Sequence, residues 1–201
     1  DSTTGFAFNL FVGMILHAWL SDVLSRAPTL VVQAAPILKR LTFPVPVLTY
    51  GLVLSTALQA AISFLVLTVM LLLAGITPAV TTVLVPIFVL PFVVLLVGLG
   101  LLVSALGVYF RDLTVLTGFI STALLFLSPV FYPLERAPDF LHGWLYLNPL
   151  TLPIETIRGL VFEGVLPGLW PWLVYCITSC AVTGCAWPLF NKLRNGFADV
   201  L

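Results

Sequence analysis

From Leu41 through Phe110, seventy residues pass without one Asp, Glu, Lys, Arg or His. Water cannot be the solvent of such a stretch, because soluble domains carry charge at about a quarter of their positions. Lipid can. A helix needs roughly 20 apolar residues to cross the hydrocarbon core, so this run alone holds at least two crossings. Over the whole chain, 61% of residues are hydrophobic and 8% are charged. The expected fold is all-helical and polytopic, with residues 1–201 forming a single transmembrane domain.

Apolar stretches of spanning length occupy about residues 6–24, 44–74, 78–110, 113–130 and 166–190, which gives five expected spans. The long run divides at Ala74-Gly75-Ile76-Thr77-Pro78, where Gly and Pro together make a turn. Pro86 and Pro91 are expected kinks in the third span. Lys and Arg in short loops stay on the cytoplasmic side, and this fixes an orientation. Arg26, Lys39 and Arg40 follow the first span, Arg111 lies between the third and fourth, and Lys192 and Arg194 follow the fifth. With those six inside, only Arg136 and Arg158 fall outside, residue 1 lies outside and the C-terminus is cytoplasmic. A chain starting outside without a signal peptide implies a further span upstream.

Eight basic residues balance eight acidic ones, so there is no basic field to hold a nucleic acid. Cys176, Cys180 and Cys185 share one apolar segment and are odd in number, which points to packing rather than disulfides or a metal site. There is no Gly-x-x-x-x-Gly-Lys-Ser/Thr loop for nucleotide phosphates, and no metal-ligand or paired-acid constellation lies in the spans. An enzyme is not expected. No cofactor is expected in this chain.

Two connecting segments carry more than a turn. Residues 34–43 place Ile37, Leu38, Leu41 and Phe43 around Lys39 and Arg40, a pattern for a short helix along the inner interface that ends at Pro44. The segment from Phe131 to Glu163 is external yet apolar, which suggests short helices dipping into the bilayer.

These pieces resemble the permease subunits of type 2 ABC exporters, especially the branch moving lipid-linked polysaccharides such as O-antigen, capsule or teichoic acid. The resemblance covers essentially the whole chain. It rests on Ile37-Leu38-Lys39-Arg40-Leu41-Thr42-Phe43-Pro44, Tyr109-Phe110-Arg111-Asp112-Leu113, Ser128-Pro129-Val130-Phe131-Tyr132-Pro133, Leu147-Asn148-Pro149-Leu150, Arg158 and the terminal Phe197-Ala198-Asp199-Val200-Leu201. One departure is Val45-Pro46-Val47, where the family often carries a charged pair. The resemblance implies a six-span subunit of the bacterial inner membrane that pairs with a second copy. It also implies two ATP-binding subunits that bind ATP and Mg and supply the energy. Further implied are an amphipathic helix and a first span before residue 1.

On that resemblance, residues 36–43 form a coupling helix seated in the ATPase, with Ile37, Leu38, Lys39, Arg40 and Phe43 at the contact. Arg111 and Asp112 either give a second contact or simply cap two helix ends. The outer segment becomes a re-entrant gate carrying Ser128, Pro129, Tyr132, Asn148, Pro149, Glu155 and Arg158. Glu155 and Arg158, three apart, share a helical face and can pair. Phe131, Tyr132, Trp144 and Tyr146 either belong to an interfacial aromatic belt, with Trp170 and Trp172, or offer flat faces along which sugar rings slide. Gly98, Gly100, Ser104 and Gly107 leave a strip nearly free of side chains, for internal packing or a dimer seam. Asp22 and Arg26, four apart, can also pair. Other readings are an exporter of drugs or small lipids, an intramembrane transferase and a secondary transporter. The last two want ionisable groups within the membrane, and spans two to four offer none.

Overall fold

The computed structural model describes residues 3–38, 44–131, 145 and 147–197, with side chains from residue 5 to 36 in the first of these. Lys39, Arg40, Phe43, Tyr132, Trp144 and Tyr146 lie outside the described residues, as do the side chains of Ile37 and Leu38. The described residues form helices and no strand: α1 (Thr3–Leu38), α2 (Pro46–Leu73), α3 (Val85–Tyr109), α4 (Leu113–Phe126), α5 (Thr151–Arg158) and α6 (Leu169–Arg194). A 3-10 turn, Val80–Leu84, leads into α3, and a π-helical turn, Gly159–Glu163, follows α5.

Four of these helices, α1, α2, α3 with its lead-in, and α6, are long and apolar enough to cross a membrane. The expected fourth span is the shorter α4, which stops at Phe126 instead of reaching Val130. Pro129 is the physical reason, since it has no N–H for the carbonyl of Leu125 and the helix cannot continue through it.

The first helix departs from expectation in the other direction. At 36 residues it is about 54 Å long, well beyond a hydrocarbon core of about 30 Å. It passes through Pro28 and Pro36, so Arg26 lies on a helix flank and not in a loop, paired with Asp22 at 3.0 Å. Residues 36–38 continue the same rod, and the expected separate helix of residues 36–43 therefore begins as the last turn of α1.

The turn after α2 falls where Ala74-Gly75 signals it. Gly75 adopts φ +75°, and the amides of Gly75 and Ile76 return to the carbonyls of Leu72 and Leu71, which satisfies the last carbonyls of the helix. Pro86 is not a kink: it sits in the first turn of α3, where a missing N–H costs nothing, and Pro91 alone lies inside.

At the centre stands α3, packed most extensively on α6 and α1 and then on α2. Its small residues make that possible. A Cβ on Gly98 would lie 2.6 Å from Thr183 Oγ1 of α6, and one on Gly100 would lie 2.8 Å from Thr49 Cγ2 of α2. One on Gly107 would collide with the backbone carbonyl of Pro28 in α1. The strip thus serves internal packing against three different helices. Hydroxyls bridge the same contacts: Thr49 Oγ1 and Ser104 Oγ are 3.3 Å apart, and Thr183 Oγ1 donates to the Val94 carbonyl at 2.7 Å. Higher in the bundle the Trp19 ring meets Phe92 edge-on at 5.5 Å, and its Nε1 donates to Thr56 Oγ1 at 3.2 Å.

The two ends differ chemically. Tyr109 OH donates to the Leu193 carbonyl at 2.8 Å, which sets the Arg111-Asp112 turn beside the last turn of α6 with its Lys192 and Arg194. This is the basic end. Arg158 lies at the opposite end, near the start of α1.

Candidate functional site

Around the described ends of the segment between α4 and α5, side chains take up backbone groups one by one. The Leu125 carbonyl, deprived by Pro129, accepts from Ser128 Oγ at 3.0 Å. The Leu124 carbonyl accepts from Asn148 Nδ2 at 3.1 Å, while Asn148 Oδ1 accepts from the Leu150 amide at 2.9 Å. Asn148 therefore turns the chain into α5 and ties that turn to the end of α4. Next to it, the Pro149 carbonyl accepts from Tyr175 OH of α6 at 2.8 Å.

Arg158 closes this junction. Its Nε and Nη2 donate to the Asn9 carbonyl at 3.1 and 3.0 Å, and Nη2 also donates to the Val130 carbonyl at 2.9 Å. Nη1 donates to the Pro129 carbonyl at 2.7 Å and to Glu155 Oε1 at 3.2 Å. A guanidinium has five N–H donors, and five bonds are made. Arg158 is only 8% exposed, a burial that a charged side chain tolerates when every donor is matched. The α5 helix is too short to cross the membrane. Burial draws the Arg158 pKa down, and the Glu155 carboxylate beside it opposes that shift.

Close approach makes the junction possible. Gly13 of α1 faces Val130, and a Cβ there would lie 3.1 Å from Val130 Cα. One turn before it, Asn9 presents its carbonyl to the guanidinium. The lead-in to α3 is fastened to the same region, with Thr81 Oγ1 donating to the Leu160 carbonyl at 2.6 Å and the Ala79 amide to the Val161 carbonyl at 3.0 Å. Arg158 thus joins the start of α1, the end of α4 and α5 into one node.

Of the gate residues expected from sequence, Ser128, Pro129, Asn148, Pro149, Glu155 and Arg158 come together here. Tyr132, Trp144 and Tyr146 lie outside the described residues. Phe131 is half exposed and packs at a tilt against Phe126, with ring centroids 6.3 Å apart. Asn9, Gly13 and Tyr175 belong to the node without having been singled out. Asn9 and Tyr175 had a signal, as polar groups in apolar helices; Gly13 had none. His17 does structural work, its Nε2 lying 3.0 Å from the Ser121 carbonyl of α4.

At the basic end, Arg111 and Asp112 are exposed, and Asp112 heads α4 without a side-chain cap. The backbone of Ile37 and Leu38 ends α1. Among the described residues no cluster could hold a metal ion, and the three cysteines are free thiols.

Comparison with known proteins places this architecture. The chain is 26% identical over 196 residues to the O-antigen export system permease protein RfbA of Myxococcus xanthus, covering 96% of this chain and 75% of the relative. It is 25% identical over 193 residues to the protein of the same name from Klebsiella pneumoniae, covering 96% of this chain and 74% of the relative. Residues 2–162, which hold α1 to α5 and the arginine node, match the family described as ABC-2 type transporter. A multi-pass helical protein whose sequence matches that family over most of its length is a membrane transport subunit: the chain belongs to the ABC-2 type transporters.

Proposed function

We propose that the protein is the membrane-spanning subunit of an ATP-driven exporter that carries O-antigen-type, lipid-linked polysaccharide out of the cytoplasm across a bacterial inner membrane. The observation that carries this reading is similarity over 96% of the chain to permeases named for O-antigen export. In this reading two copies work with two ATP-binding subunits, which bind ATP and Mg. The basic end, with Arg111, Asp112 and the segment holding Ile37, Leu38, Lys39, Arg40 and Phe43, faces the cytoplasm and meets the ATPase. The C-terminus lies on the same side.

The mechanism follows from α1. Its last turn enters the coupling segment and its Asn9 carbonyl sits in the arginine node, so one rigid rod runs from the energy input to the outer gate. Closure of the ATPase shifts the inner end, and the displacement reaches the node. The resting state is held by five bonds from Arg158; the nucleotide-bound state must offer the ATPase contacts that outweigh them.

Depletion of the protein in cells making such a polymer tests the reading. Surface polysaccharide is expected to fall at least tenfold while lipid-linked polymer accumulates on the cytoplasmic face, and the protein is expected to co-purify with an ATP-binding subunit. Normal surface polymer after depletion would refute the cargo.

A further inference from the structure

Between α2 and the start of α3 lies a groove of about 290 Å³ that no side chain of the described residues fills. Its cause is in the sequence: Ala57 and Ala61, one turn apart on α2, stand where a larger residue would close against Val85 and Val89 of α3. Leu65, Thr68 and Leu71 carry the same wall on, so the groove follows α2 for about 21 Å at a rise of about 1.5 Å per residue. A volume so small over such a length makes a slot. Trp19 of α1, bonded through Nε1 to Thr56, marks the end near Ala57. Thr82, in the 3-10 turn that leads into α3, and Val161 line it too, and Val161 accepts from the Ala79 amide of the same lead-in.

Depth and chemistry together name an occupant. The slot runs from the end of α2 beside the Gly75 turn to the middle of that helix. One leaflet contributes about 15 Å to the hydrocarbon core, so the slot is as deep as the acyl chains of a single leaflet reach. Its mouth lies at Ala61 and Leu65, both exposed on the bilayer side of α2. Two hydroxyls interrupt the apolar lining. Thr68 Oγ1 donates to the Phe64 carbonyl of its own helix at 2.8 Å, whereas Thr82 Oγ1 is buried without a hydrogen-bond partner among the described residues. A buried hydroxyl left unpaired is costly and calls for an acceptor. With its lead-in, α3 runs 30 residues, about 45 Å, which sets Thr82, near the start, at the edge of the core where ester oxygens of lipids begin.

We propose that this slot is a lipid site: one acyl chain of a bilayer glycerolipid lies in it, with its far part against Trp19, and an ester oxygen of that lipid accepts from Thr82 Oγ1. Within a membrane, burying apolar surface brings no hydrophobic gain, so close contact and hydrogen bonds decide what is held. A slot gives a single chain contact on both walls, which the outward faces of α2 and α6 do not. A helix, about 10–12 Å across with its side chains, is too wide to enter. The seated chain touches α1 at Trp19, α2, the lead-in to α3 and the π-helical turn at Val161, so it packs as a component of the bundle. The site stands whatever the cargo of the exporter.

The test uses the full chain reconstituted in vesicles of dioleoylphosphatidylcholine, or of the same lipid brominated across its double bonds, because bromine quenches tryptophan only at short range. With Trp144, Trp170, Trp172 and Trp187 replaced by Phe, Trp19 is the sole reporter, and it is only 6% exposed. Its emission is expected to fall by at least half in the brominated lipid. Ala61→Phe, which fills the mouth from an exposed position, is expected to restore most of that emission, and the smaller Ala61→Leu part of it. A parallel protein keeping only Trp187, 43% exposed, is expected to be quenched alike with and without these substitutions, which shows that the variants still enter the bilayer. Equal Trp19 emission in the two lipids, with Trp187 quenched, would overturn the proposal, as it would if a second copy covered the slot. So would quenching of Trp19 that both Ala61 variants leave unchanged, since bromine would then reach the ring by another route. Native mass spectrometry is expected to find Thr82→Val retaining lipid at no more than half the occupancy of the unaltered protein; equal occupancy would overturn the anchor assigned to the hydroxyl.

Discussion

A single side chain, Arg158, spends all five of its donors on holding backbone carbonyls and one carboxylate in place. Lysine has the same charge but only three donors, all on one nitrogen, so it cannot make the five bonds that reach Asn9, Pro129, Val130 and Glu155. Each lost charge-assisted bond is worth about 1.5–3 kcal/mol. Arg158→Lys is therefore expected to insert normally in the membrane and lose at least nine-tenths of export, measured as surface polymer; near-normal export would show that charge alone suffices. The Glu155–Arg158 pairing was legible from a spacing of three, and the structure contains it at 3.2 Å. The more consequential partners were not legible, because a carbonyl is present at every residue and nothing in the letters says which one is left open. Pro129 gave half of the answer. Its missing N–H ends α4, although the sequence does not say that a residue far along the chain fills the gap.

Among the elements, α1 and α3 set the geometry through one crossing without room for a Cβ, Gly107 against the carbonyl of Pro28. Backbone cannot rotate aside as a side chain can. Gly107→Ala is expected to lower stability by about 1–3 kcal/mol, read as a lower heat-denaturation midpoint in detergent. Gly118→Ala, where nothing lies within 4 Å, should be neutral or slightly stabilising. Equal midpoints for the two variants would mean that the crossing is loose. Span positions were readable because lipid demands long apolar runs, and α2, α3 and α6 fall close to them. Boundaries set by tertiary contacts were not. The first helix was expected to stop near Leu24, but it is supported along its length by α2, α3 and α4 and continues through two prolines to Leu38. The fourth span was expected to reach Val130, and it ends early to form the node.

Across the whole molecule, α1 is a 36-residue rod whose Asn9 carbonyl sits in the outer node, and in the proposed mechanism it carries the motion of the ATPase outward. Charge bias in the sequence separated the two ends, and the structure sets Arg111, Lys192 and Arg194 together, far from Arg158. Arg26 was miscast in that bias, for its place is on the flank of α1 beside Asp22. Movement of the rod against the node is the central claim, and a reversible lock tests it. Gly13 and Val130 are placed for a bridge, since a Cβ at Gly13 would lie 3.3 Å from Val130 Cβ, close to the roughly 3.5–4.5 Å of disulfides. In the protein freed of its native cysteines, oxidation of Gly13→Cys with Val130→Cys is predicted to stop the appearance of polysaccharide at the cell surface, and reductant to restore it. Export that continues at its usual rate with the bridge formed would contradict the account.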